Sequence, residues 1–173
     1  MERKRVTTTH PLQRTAVVLH RVGTPWFFFV AVTIGALALY SFSSAETVLI
    51  FILGFLITIG SVGLLKILVR TPRPEGAYEE INSYAFPSGH AAGAFFLAVY
   101  VSHFALLLLS PILAWTLTTL SFTVATLVGV SRVILSVHTH LQVIVGVGIG
   151  TVVPLVALLY ENTISYFLTG LIG

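Results

Sequence analysis

Cysteine is absent from this chain of 173 residues, and charged side chains make up only 9% of it. The first absence excludes disulfides, thiolate nucleophiles and cysteine-ligated metals, while naming no compartment. The second is more restrictive. With 56% apolar residues, so little charge cannot cover the surface of a water-soluble globule of this size. The composition is that of an integral membrane protein. Internal repeats, low-complexity tracts and a separate soluble domain are also missing, and nothing points to nucleic acid. No pattern fixes an oligomeric state.

What is present is a set of charge-free apolar runs, from Val22 to Ala45, Thr47 to Leu65, Ala91 to Val130 and Leu141 to Tyr160. About 20 residues suffice to cross the hydrocarbon core. The third run is long enough for two crossings, and Ser110-Pro111 near its middle supplies a turn, because proline lacks a backbone donor and restricts the residue before it. The expected fold is therefore all-α, a multi-pass transmembrane bundle of about five spans near 25–43, 46–67, 89–109, 112–131 and 139–160. Residues 1–24 form a basic leader and 25–173 the membrane domain. The leader is long for the start of a signal peptide, so the first apolar run is read as a retained span.

Threading five spans across a bilayer brings every Lys and Arg to one side: Arg3, Lys4, Arg5, Arg14, Arg21, Lys66, Arg70, Arg73 and Arg132. The opposite side holds only Glu46 and Glu161. Topological bias accounts for the N-terminal five and favours a cytoplasmic location for that face. Lys66, Arg73 and Arg132 ask for more, because they sit at the edges of apolar segments where a charge is costly to desolvate. His90, opening the third span, and His138, opening the fifth, lie on the same side. In "PSGH" (Pro87 to His90) serine is a good helix cap and glycine permits close backbone approach, so N–H groups are presented at a helix N-terminus suited to an anion.

Cations, an N-terminal nest with a hydroxyl, and two histidines are the parts that cleave a phosphate ester without a metal. The cations and N–H groups hold the nonbridging oxygens, a neutral imidazole attacks phosphorus, and a protonated one supplies the leaving oxygen with its proton. No cofactor or metal is expected. A site at helix ends suits a head group whose tails stay in the bilayer, so the expected partner is a membrane lipid phosphate.

Three segments, "KILVRTPRP" (Lys66 to Pro74), "PSGH" and "SRVILSVH" (Ser131 to His138), resemble in order and separation the three signature motifs of the type 2 phosphatidic acid phosphatase superfamily. That superfamily also includes vanadium haloperoxidases and glucose-6-phosphatase. The resemblance covers roughly residues 46 to 160, with a motif core at 66–142. It implies a phosphohistidine mechanism with His138 as nucleophile, His90 as general acid, and Lys66, Arg73, Ser88, Gly89 and Arg132 as the phosphate cradle. It also commonly implies a site facing away from the cytoplasm, against the charge bias. Arg70 falls between matched positions and is left out.

The departure is Gln142, where the family pattern has an aspartate four residues after the nucleophile. Its amide oxygen can accept the imidazole N–H across one helical turn but adds no negative charge. The expectation is slower hydrolysis of a polyprenyl phosphate or diphosphate, a polyprenyl-linked sugar phosphate, phosphatidic acid or phosphatidylglycerophosphate. The alternatives are a weakened lipid-phosphate-binding protein and a lipid phosphotransferase. Elsewhere, Gly146 and Gly150 in "GVGIG" read as close helix packing, Pro154 as a kink, His103 as a packing residue, "WFFF" at Trp26 as a lipid-facing aromatic belt, and Glu75, Glu79 and Glu80 as a solvated loop.

Overall fold

The computed structural model describes residues 11–22, 24–74, 77, 84–164 and 166. Arg3, Lys4, Arg5, His10, Glu75, Glu79 and Glu80 lie outside the described residues. The elements are α1 (Pro11–Val22), α2 (Pro25–Phe42), α3 (Ala45–Val69), α4 (Gly89–Leu108), α5 (Pro111–Ile134) and α6 (His140–Leu159), and no strand occurs among the described residues. The all-α bundle is as expected, and α2 to α6 match the five anticipated spans to within a helical turn. Four of them, α3 to α6, are long and apolar enough to cross a membrane, whereas α2 is apolar over a shorter stretch.

Local chemistry explains the boundaries. Ser44, Ser88 and Thr139 cap α3, α4 and α6, each with its hydroxyl accepting a backbone N–H three residues on. Ser110 precedes α5, with Pro111 in the first turn where its missing N–H costs nothing. Helix α3 stops at Arg70, which adopts a left-handed conformation (φ 50°) two residues before Pro72.

Helix α4 is the centre of the bundle. It packs on α5, α6 and α3, while α2 leans on α3. On the α3 side the packing is aromatic. Phe96 and Tyr100, both buried, meet Phe51 at 5.6 and 4.8 Å between ring centroids, and Phe55 meets Phe96 at 5.4 Å. On the α6 side it is backbone against backbone. A Cβ on Gly146 would lie 2.4 Å from the Ser88 carbonyl oxygen, and one on Gly150 only 2.1 Å from that of Ala92. The close packing expected of these glycines is thus present, and α4 is the partner. Pro154 is buried within α6.

The leader contributes an element that composition did not announce. Helix α1 is too short and too polar to cross the membrane, yet it docks on α5, with Ala16 buried against Leu135 and Val137 and with Val17 and Ala77 alongside. One small apolar stripe suffices to seat a helix on an existing surface. At the opposite end of the bundle, Thr47 Oγ1 donates to Glu161 Oε1 at 2.6 Å, joining the start of α3 to the segment after α6.

Candidate active site

The chain between α5 and α6 carries His138, and its shape follows from Arg132. The carbonyl of Arg132, in the last turn of α5, accepts the N–H groups of both Val137 and His138, at 3.1 and 3.2 Å. Ser136 turns the loop with φ 53°, left-handed for a residue that is not glycine. The Arg132 side chain is 1% exposed. Ser131 spends its hydroxyl on the Val128 carbonyl at 2.7 Å, which tightens the end of α5. From the other side, Arg73 Nη1 donates to the Val137 carbonyl at 2.9 Å. The Arg132 backbone carbonyl at the end of α5 and, from a distant segment, the Arg73 guanidinium therefore both hold the backbone at Val137 and His138.

His138 itself is 4% exposed. Burial pushes its imidazole down from the ordinary value to about 4, helped by the charges of Arg73, Arg132 and Lys66, while the contact with Gln142 acts in the opposite sense. The ring is neutral across the physiological range. Its Nδ1 lies 3.3 Å from Gln142 Oε1. The same Oε1 accepts the Thr139 backbone N–H at 3.0 Å, and Gln142 N–H returns to Thr139 Oγ1 at 3.4 Å. This capping box fixes which end of the amide faces the histidine. An amide oxygen only accepts, so Nδ1 carries the hydrogen and Nε2 keeps its lone pair. The Thr-x-x-Gln spacing that builds the box is readable in the sequence at positions 139 to 142.

The "PSGH" segment reaches the same end of the molecule. Ser88 N–H donates to the Gln142 carbonyl at 2.9 Å, so the start of α4 is hydrogen-bonded to the first turn of α6. Ser88 is fully buried, and its hydroxyl accepts the Ala91 N–H at 3.4 Å. Gly89 is the first residue of α4 and His90 the second. A Cβ on Gly89 would meet Val62 Cγ1 at 3.4 Å, an ordinary contact. Lys66, one turn before the end of α3, donates through Nζ to the Tyr84 carbonyl, and its charge is felt at His138.

All the expected positions thus fall on one end of the bundle: Lys66, Arg73, Ser88, Gly89, His90, Arg132, His138 and Gln142. Arg70 is exposed, its Nε bonded to the Ile67 carbonyl at 3.0 Å. His140 is exposed, and His103 packs edge-on against Phe104 with centroids 5.0 Å apart, as a packing residue should. The "WFFF" belt divides. Trp26, Phe27 and Phe29 are exposed, whereas Phe28 is buried with its ring 6.4 Å from that of His90. The uniform lipid-facing reading of that run is corrected by this one residue. Among the described residues, no group of three or more His, Asp or Glu side chains is assembled that could hold a metal ion.

A family model described as the PAP2 superfamily matches residues 47–166. Two solved structures resemble the whole architecture. A transmembrane PAP2-type phosphatidylglycerolphosphate phosphatase from Bacillus subtilis superimposes with a TM-score of 0.79 at 23% identity, over 89% of this chain and 79% of that one. LpxE from Aquifex aeolicus gives 0.71 at 26% identity, over 87% and 88%. The matched segment holds every motif residue of the site, from Lys66 to Gln142, and the chain belongs to the PAP2 superfamily.

Proposed function

We propose that the chain hydrolyses a lipid phosphate monoester or diphosphate through a phosphohistidine on His138, without a metal. The observation that carries this reading is the state of His138: buried, neutral, with Nδ1 turned to Gln142 and its backbone held by Arg73 and Arg132. Nε2 attacks phosphorus as the ester P–O bond breaks, and protonated His90 gives its proton to the departing alkoxide or phosphate oxygen. Water then attacks the phosphohistidine while neutral His90 takes one of its protons, and the P–N bond breaks to return His138 and release phosphate.

Lys66, Arg73 and Arg132 neutralise the nonbridging oxygens, and the N–H groups opening α4 at Gly89 and His90 complete the cradle. Packing alone does not demand glycine at 89. Close approach of a phosphate does, which supports a ligand on that side. The substrate class follows from position: polyprenyl phosphates and diphosphates, polyprenyl-linked sugar phosphates, phosphatidic acid and phosphatidylglycerophosphate all place a phosphate at the depth of these helix ends. The B. subtilis relative acts on the last of these. We assign the site end to the cytoplasmic face of the cell membrane, because the described cations gather there while Glu46 and Glu161 lie at the other end.

The decisive experiment measures phosphate release from a panel of lipid phosphates in excess chelator, with His138→Ala alongside. The wild type should turn over, and the variant should lose at least about 10²-fold. Retained activity in His138→Ala, or wild-type activity abolished by chelator and restored by a metal, overturns the mechanism. Lipid retention without release identifies a binding protein, and phosphate passed to an added alcohol identifies a phosphotransferase.

A further inference from the structure

We propose that Phe28 is a positioning residue for His90, seated by a notch at Gly93, so that a helix outside the matched family segment sets the alignment of the proton donor. This rests on the general-acid role given to His90 above. Phe28 lies in the first turn of α2, where its N–H donates to the Thr24 carbonyl at 3.1 Å, and it precedes the family match that begins at residue 47. It is 7% exposed while its neighbours on either side face outward. Its ring meets the His90 imidazole at 6.4 Å and 76° between planes, and Phe55 at 6.2 Å.

Gly93 explains how the ring fits. A Cβ there would stand 2.7, 2.8 and 3.1 Å from Phe28 Cζ, Cε1 and Cδ1, so one edge of the phenyl lies directly on the backbone of α4, a single turn beyond His90. Any side chain at 93 would push the ring off, and Phe55 stands on another side of it. The consequence is chemical. A proton is passed well only when donor and acceptor are held within hydrogen-bond reach along a defined line, and a rigid ring beside the imidazole removes swings away from the leaving oxygen and keeps water from that side. Helix α4 supplies the acid, and α2 supplies the wall.

Leaving groups provide a test that mere loss of stability would not mimic. An alkyl phosphate leaves as a poor alkoxide and depends on the acid, whereas p-nitrophenyl phosphate leaves as a stable anion and scarcely needs it. Full-length Phe28→Ala and Gly93→Ala should each lower the single-turnover rate of leaving-group release from phosphatidic acid by about tenfold or more, with KM little changed and with single-turnover p-nitrophenolate release within about threefold of wild type. Single turnover isolates this step from the later hydrolysis of the phosphohistidine, which both substrates share. The double variant should be no worse than Phe28→Ala, because both changes remove one contact. Should Phe28→Ala fail to fold, Phe28→Leu, which keeps bulk but loses the flat edge, should give the same selectivity in weaker form.

Equal losses on both substrates, a change confined to KM, or additive losses in the double variant would overturn the inference. His90→Ala separates it from the reading beneath. If His90→Ala lacks leaving-group selectivity, the acid role itself fails. If His90→Ala has it and Phe28→Ala lacks it, only the role of Phe28 fails.

Discussion

The two sides of α4 are built differently. Toward α6 the contact is made by absence: Gly146 and Gly150 let two backbones touch, and Ser88 N–H reaches the Gln142 carbonyl directly. Toward α2 and α3 it is made by bulk, with Phe28, Phe51, Phe55, Phe96 and Tyr100 meeting ring to ring. Backbone contact leaves almost no room for adjustment, since no side chain can change rotamer to absorb a shift. Aromatic contact has several such freedoms. The first interface therefore fixes how the "PSGH" segment stands against the His138 loop, and the second holds the bundle together, except at Gly93, where the Phe28 ring lies on the α4 backbone beside His90.

The largest effect should come from filling the tight side. Gly150→Leu places a side chain where even a Cβ would be 2.1 Å from the Ala92 carbonyl oxygen. It should cost at least about 3 kcal/mol, the upper end for overpacked cores, and abolish activity, read by thermal unfolding in detergent and phosphate release. Gly146→Ala, aimed at the Ser88 carbonyl, should leave a folded protein whose kcat falls by about 10², the penalty of a displacement near 1 Å at a reacting centre. A Gly146→Ala protein with unchanged kcat would show that the tight interface does not set the site.

Gln142→Asp sharpens the same point, because the residue both joins α6 to Ser88 and faces His138. A carboxylate beside the imidazole favours its charged form, so the acid limb of the rate, set by a nucleophile near 4 in the wild type, should move up by about 1 unit or more. Turnover near neutrality should rise by about tenfold, as an anion stabilises the ring while positive charge develops. The depressed value also fixes the sign of an effect on stability. The unfolded chain takes up a proton on this histidine near 6.5 and the folded chain only near 4, so stability is fully present above about 6.5 and declines as pH falls toward 4. His138→Gln should flatten that decline in melting curves recorded from pH 7 to 4.

The Phe96 cluster should respond more gently. Phe96→Leu removes ring contacts with Phe51, Phe55 and Tyr100 but keeps most of the volume, so it should cost about 1 kcal/mol with kcat within twofold of wild type. Smallest of all is Gly148→Ala. It sits between the two packing glycines, yet nothing lies within 4 Å of a Cβ there, and the change should be neutral or stabilise by up to about 1 kcal/mol through helix propensity.

Much of this architecture was legible in the amino-acid order. The span limits follow from capping serines and from Pro111, and the cations, histidines and Gln142 could be assigned to one end because alternate crossings leave no other arrangement. Gly146 and Gly150 declared a close contact without naming its partner, since spacing along one helix carries no information about its neighbour. Phe28 was hidden for a related reason. In a run of four aromatic residues beside lipid, the one that turns inward is decided by the glycine opposite, 65 positions later in the chain. Helix α1 escaped notice because a docking stripe as small as Ala16 and Val17 has no distinctive pattern.

The glycine seam also bears on how the protein meets membranes of unequal thickness. At 18 residues, α2 is about 27 Å long and α3, at 25, about 38 Å, so no single bilayer matches both and tilting is the usual relief. Helices locked spine to spine must lean as a unit, and α2, whose Phe28 ring is seated on the α4 backbone at Gly93, must follow them for the acid to stay aligned.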